Sequence, residues 1–146
     1  MHRVCRLLLA TFVILPVHAQ DLLPAQASYR ALTAPASRYA PAEWSTLTLQ
    51  RTDERVYALA LAVVAPTASH HTGRIEGDAI LDGEVVTLDK TGGPADLPPE
   101  NPSMQCSLRI HVTKDVATVL SEDGCAAWLG AGASFVEQGQ ALLRTP

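Results

Sequence analysis

The residues whose types could carry chemistry are three histidines, a set of carboxylates, a serine among glycines and a pair of cysteines. His70, His71 and His111 are the histidines that remain beyond residue 19. Zinc takes three or four ligands in fixed geometry, delivered by motifs such as His-Glu-x-x-His or clustered Cys and His. An adjacent pair plus one distant histidine forms no such motif, so they read as two loop residues and one residue on a polar strand face. Asp78, Asp82, Gly83 and Asp89 have the composition of a calcium loop, which needs oxygen ligands at its first, third and fifth positions. Counted from Asp78, the third position is Ile80, which has no side-chain oxygen. Glu76 and Asp78 lie two apart on one strand face, the placement of a carboxylate pair that could do glycosidase work at separations of ~5–9 Å. No aromatic cleft accompanies them in sequence, so a solvated strand face explains them more simply. Gly130-Ala131-Gly132-Ala133-Ser134 lacks the Gly-x-Ser-x-Gly elbow, and Ser134 has no assigned base, so turn chemistry accounts for it. The expectation is therefore no metal, no cofactor and no catalytic set.

The cysteines are informative because of what precedes them. Residues 1–19 have a short basic start with Arg3 and Arg6, the uncharged run 7–15, Pro16, and small residues at Val17 and Ala19 before Gln20. That is the grammar of a secretory signal peptide, and nine apolar residues fall far short of the ~20 that a membrane span needs. The expected destination is the periplasm or the exterior, with no membrane span in the mature form. Cys5 leaves with the signal peptide, so Cys106 and Cys125 have only each other to pair with in an oxidising compartment. Their spacing is unlike the Cys-x-x-Cys of redox sites, which favours a structural bridge.

Charge narrows the partners. The whole chain of 146 residues carries a formal net charge of −4. Removal of Arg3 and Arg6 leaves nine basic against fifteen acidic residues, or −6. Nucleic-acid binding needs clustered Lys and Arg, and this chain has no such cluster.

The elements that must position these residues are strands. Alternation of apolar and polar positions runs through 45–51, 55–65, 73–81, 84–89, 106–113 and 116–121. The alanines of 55–65 also suit a buried helix, but the short turn at 52–54 and its neighbour strand favour a hairpin. Asp82-Gly83 between two alternating runs is the strongest hairpin signal. Lys90 to Gln105, with several prolines and glycines, reads as a long surface loop. Residues 126–133 read as a small-residue turn, and 134–136 with 141–144 as a closing strand pair. Residues 20–43, rich in Ala, Pro and Ser, read as an arm or linker. The result is an all-β domain over 44–146, an antiparallel meander of about eight short strands forming a small barrel or sandwich.

On such a scaffold the recognition candidates are Trp128, Arg109, His111 and Ser134. Trp128 beside glycines suits either an aromatic anchor on a loop or a plug at one barrel end. Arg109 and His111 share the outward stripe of 106–113 with Ser107 and Thr113, which a solvated sheet face also explains. Ser134 belongs to the glycine-rich turn.

Cys106-Ser107-Leu108-Arg109-Ile110, Cys125-Ala126-Ala127-Trp128-Leu129-Gly130 and Ala133-Ser134-Phe135 together resemble small exported bacterial β-proteins in which one disulfide braces a terminal hairpin. They resemble more faintly the bacterial C-type lysozyme inhibitors, small periplasmic barrels that place a short loop in the enzyme's cleft. The likeness covers about the last forty residues. The family's Ser-Gly-x-x-Tyr segment is absent, and Gly132-Ala133-Ser134-Phe135 has the order reversed, so no inhibitory residue carries over. The resemblance implies a binding or inhibitor module acting on an envelope protein, a lysozyme-like enzyme among the partners. A barrel that holds a small ligand is the alternative, and a hydrolase ranks last.

Overall fold

The computed structural model describes residues 23–38, 40–66, 71–94 and 104–146. Residues 1–19, read above as a signal peptide, and Tyr39 and His70 lie outside them. Eight strands, β1 (Gln26–Ala34), β2 (Glu43–Arg51), β3 (Val56–Val64), β4 (Thr72–Asp82), β5 (Val85–Thr91), β6 (Gln105–Val112), β7 (Val116–Asp123) and β8 (Leu142–Arg144), pair in chain order, each antiparallel to the next. β8 returns to β1 and closes the barrel. The closing seam is thin: β8 pairs over two positions with β7 and two with β1, supplemented by Thr145 N donating to Ser28 O.

The period-2 pattern decides what faces in. Tyr57, Leu59, Leu61 and Val63 of β3, Ile75, Ala79 and Leu81 of β4, and Cys106, Leu108, Ile110 and Val112 of β6 are all buried. The alanines Ala58 and Ala60 lie on the opposite face of β3 from these leucines, so the stretch is a strand and not a buried helix. With Tyr29, Leu47, Leu49, Val86, Leu88 and Phe135 these side chains fill the lumen, as eight short strands allow.

Two expectations need correction. Residues 20–43 are not all an arm: β1 lies inside them, pairs with β2 from Gln26↔Gln50 to Ala34↔Glu43, and buries Ala27 and Tyr29. Alanine is common in linkers and equally common on the crowded interior of a small barrel, so composition averaged over both faces misleads. β2 likewise starts at Glu43, two residues before the alternating run 45–51 and one before the expected domain boundary. The second correction is at the other terminus, where 134–136 is not a strand. Phe135–Gln138 is a single helical turn, α1, and only β8 closes the sheet. Ser134 caps this turn: its Oγ accepts from Glu137 N at 3.1 Å, and Gln138 Oε1 accepts from Ser134 N at 2.6 Å. Eight strands is the right number, with β1 standing where the 134–136 strand was expected.

The disulfide Cys106–Cys125 is present. Pairing between β6 and β7 slips by one between Arg109↔Ser121 and Ile110↔Val119, so Leu120 is the extra residue of a bulge and is exposed. The slip sets Ser107 opposite Asp123 and leaves Gly124 to turn the chain. Gly124 has φ of 72°, and a Cβ there would collide with Gln105 O, so only glycine carries the chain from β7 to Cys125.

Candidate functional site

The antiparallel order sends alternate connections to opposite ends. One end receives the turns at 52–55, 83–84 and 113–115 with both ends of the described chain. It is sealed by two buried tyrosines. Tyr57 Oη donates to Leu23 O at 3.0 Å and accepts from Arg51 Nε at 3.0 Å, while Arg51 also donates to Leu23 O. Tyr29 Oη donates to Thr113 O at 2.8 Å, and Arg144 lies over its ring while donating to Gln26 O at 3.0 Å.

At the other end lie Ala34, Glu43, Val64, Thr72, Thr91 and Gln105, where strands end or begin, together with the connection 124–141. Its plug comes from the last of these. Trp128, in the 3-10 turn Cys125–Trp128, is only 6% exposed, and Phe135 is fully buried. Leu129 lies against Gly73, where an added Cβ would collide with the Leu129 side chain. Glu122 fixes α1 in place: it accepts from Ser134 Oγ at 2.7 Å and from the backbone N–H groups of Phe135 and Val136.

Beside this plug the wall opens. The β4–β5 ladder runs from Asp82↔Val85 only as far as Ala79↔Leu88. Beyond it β5 continues against β6 through Lys90↔Cys106 and Thr91↔Gln105, and β4 continues against β3 to Val64↔Thr72. A cleft of about 410 Å³ occupies the divergence, lined by Arg74, Ile75, Glu76, Lys90, Gly93, Pro94 and Trp128. Its floor is apolar, from Ile75 and Trp128. Its charge is unusual, because Lys90 follows Val86 and Leu88 at an inward position of β5. The Lys90 stem runs beside Gly77, where an added Cβ would press on Leu88 Cδ1 at 3.0 Å and lie in ordinary contact with Lys90, 3.6 Å from Cδ and 3.8 Å from Nζ. Arg74 is paired with Glu76 at 3.3 Å, whereas Lys90 has no hydrogen-bond or carboxylate partner among the described residues.

The structure does not bring the four expected recognition residues together. Trp128 is a plug that presents only an edge to the cleft, not a free loop anchor. Arg109 is exposed on the outer wall of β6, and His111, on the same face, meets Glu84 at 3.1 Å. Ser134 is occupied as the cap of α1. Glu76 and Asp78 both stand exposed on β4, the first bound to Arg74. Among the described residues no group of three His, Cys, Asp or Glu side chains is placed to hold a metal ion, and no helix is long and apolar enough to cross a membrane. Arg74 and Lys90 were missed in the sequence. The available signal was Lys90 itself, a charge in register with inward Val86 and Leu88. A second feature, Trp44 with Arg30 4.4 Å over its ring and Leu32 and Leu143 exposed nearby, was equally unmarked.

Comparison of the chain with protein-family models, with characterised proteins and with solved structures finds no significant match in any of the three.

Proposed function

We propose that this protein is an exported, non-enzymatic binding or inhibitor module that engages a protein partner in the cell envelope through the looped end of its barrel. One observation carries the proposal. The lumen is filled and one end is sealed by its own hydrogen bonds, while the cleft beside Trp128 keeps an apolar floor and an ammonium without a partner among the described residues. Loops held on a rigid barrel are the common seat of recognition. The disulfide supports an oxidising compartment, and with it the secretory reading of residues 1–19. A filled lumen gives no support to a ligand held inside the barrel among the described residues.

The test is affinity capture. The tagged, oxidised protein is exposed to envelope extract, and separately to lysozymes as basic partners suited to an acidic surface. A stoichiometric complex that survives salt supports the proposal. Recovery of the bare domain from both contradicts a stable protein partner.

A further inference from the structure

The two sides of the cleft are strand edges, and edges specify what can bind. Leu81 N donates to Arg55 O, and Ala65 N donates to His71 O. With the β3–β4 register, this turns the backbone groups of odd-numbered β4 residues toward β3 and those of even-numbered residues toward β5. β5 covers that side of β4 only up to Ala79. At the far end Gly130 N donates to Thr72 O at 2.9 Å, and Leu129 bridges Gly73. Between these limits, Glu76 has no strand neighbour on its open side among the described residues. The described residues thus complete the β4 edge at both ends and leave a short window around Glu76.

We infer that this window takes an extended segment of a protein partner, added as a strand to β4, with an acidic side chain seated on Lys90. The inference deepens the binding-module proposal and rests on it. Strand addition uses main-chain bonds for affinity and alternate side chains for selectivity. A residue paired opposite Glu76 sends its own side chain outward. Its neighbours, opposite Ile75 and Gly77, turn inward. The first of these meets Ile75 and Trp128 and is apolar. The second meets Lys90, whose stem crosses Gly77, and is a carboxylate. The recognised pattern is therefore an apolar and an acidic residue two apart. Inward charges beside open edges also serve to discourage self-pairing. That role alone would leave the Glu76 amide without response to either peptide.

The test titrates the oxidised, nitrogen-15-labelled protein with an acetylated, amidated Thr-Thr-Leu-Thr-Glu-Thr-Thr peptide and with its Lys-for-Glu counterpart. The acidic peptide is expected to shift the Glu76 and Asp78 amides and to protect Glu76 from hydrogen exchange. The basic one should bind at least ~10-fold more weakly, as loss of a charge-assisted contact implies. Lys90→Glu should invert that preference. Glu76→Pro should weaken the acidic peptide by about tenfold or more while the barrel persists, because the lost N–H faces the window and not the β3 ladder. If that variant does not fold, Lys90→Gln still has to lose the charge preference. A Glu76 amide that does not respond, equal binding of both peptides, or a Glu76 amide already protected in the free protein would each overturn the inference. Envelope capture that is indifferent to Lys90→Glu would overturn it and leave the binding-module proposal standing. Peptide binding with these signatures and no captured protein would contradict the stable partner but not the strand site.

Discussion

The two ends of this barrel terminate the same eight strands by different physics. At the sealed end the connections are short, and two tyrosine hydroxyls close the lumen by bonding to backbone carbonyls under two arginines. The two buried hydroxyls and the guanidinium groups of Arg51 and Arg144 are committed there to groups of the same chain. At the looped end the closure is a plug of Trp128, Leu129 and Phe135, delivered by one long connection and held by the Cys106–Cys125 bridge and the Glu122 carboxylate. The plug meets the edge of β4 at Thr72 and Gly73, so it completes only part of that edge. The sealed end holds the barrel shut, and among the described residues the looped end leaves part of the β4 edge and the inward-facing Lys90 without partners. Recognition needs the second condition, since a group already bonded within the fold has little left to offer a partner.

The comparison can be broken from either end. Phe135→Ala removes the fully buried ring of the plug and should cost ~3–5 kcal/mol in urea unfolding of the oxidised protein. A loss no larger than that of a surface substitution would mean that the plug does not bear on the fold. Replacing both Cys106 and Cys125 by serine should cost ~3 kcal/mol, the chain-entropy value for a loop of this size. Hydrogen exchange should then quicken in 124–141 before it does in the 113–115 turn, and uniform quickening would erase the distinction between the ends. Tyr57→Phe, at the sealed end, deletes the hydroxyl that links Arg51 to Leu23 O and should cost ~1–3 kcal/mol, since Arg51 Nε loses its acceptor and Leu23 O keeps only its bond from Arg51. Arg55→Ala breaks the exposed pair with Asp82, 2.7 Å apart with side chains 55% and 89% accessible, and should cost no more than ~1 kcal/mol.

Much of the sheet was legible in the sequence because alternation and burial are the same fact seen twice. Cys106, Leu108, Ile110 and Val112 alternate in the sequence and are all buried in the barrel. The disulfide was legible because the hairpin at Lys114-Asp115 brings its two cysteines together. The bulge at Leu120 was not, since a one-residue slip leaves no compositional trace. β1 was hidden because its inward residues are Ala27, Tyr29 and Ala31, too small and too few to stand out among neighbouring Ala, Ser and Pro. The site was hardly legible at all. Trp128 was read as either a loop anchor or a plug at one barrel end, and its burial under its own loop, which decides for the plug, depends on tertiary packing. Lys90 was placed in a loop when the period-2 pattern of Val86 and Leu88 already assigned it inward. The window on β4 depends on where a ladder stops, and that is set by the far-off segment 124–141.

The central claim, that recognition belongs to the looped end, is tested most directly by localising capture with one charge reversal at each end. Lys90→Glu alters the cleft beside Trp128, and Arg55→Glu alters the sealed end at a residue that is already exposed. The account predicts that envelope capture by the oxidised protein is lost with Lys90→Glu and kept with Arg55→Glu, both variants retaining the wild-type unfolding transition to within ~1 kcal/mol. Capture lost with Arg55→Glu and kept with Lys90→Glu would contradict it.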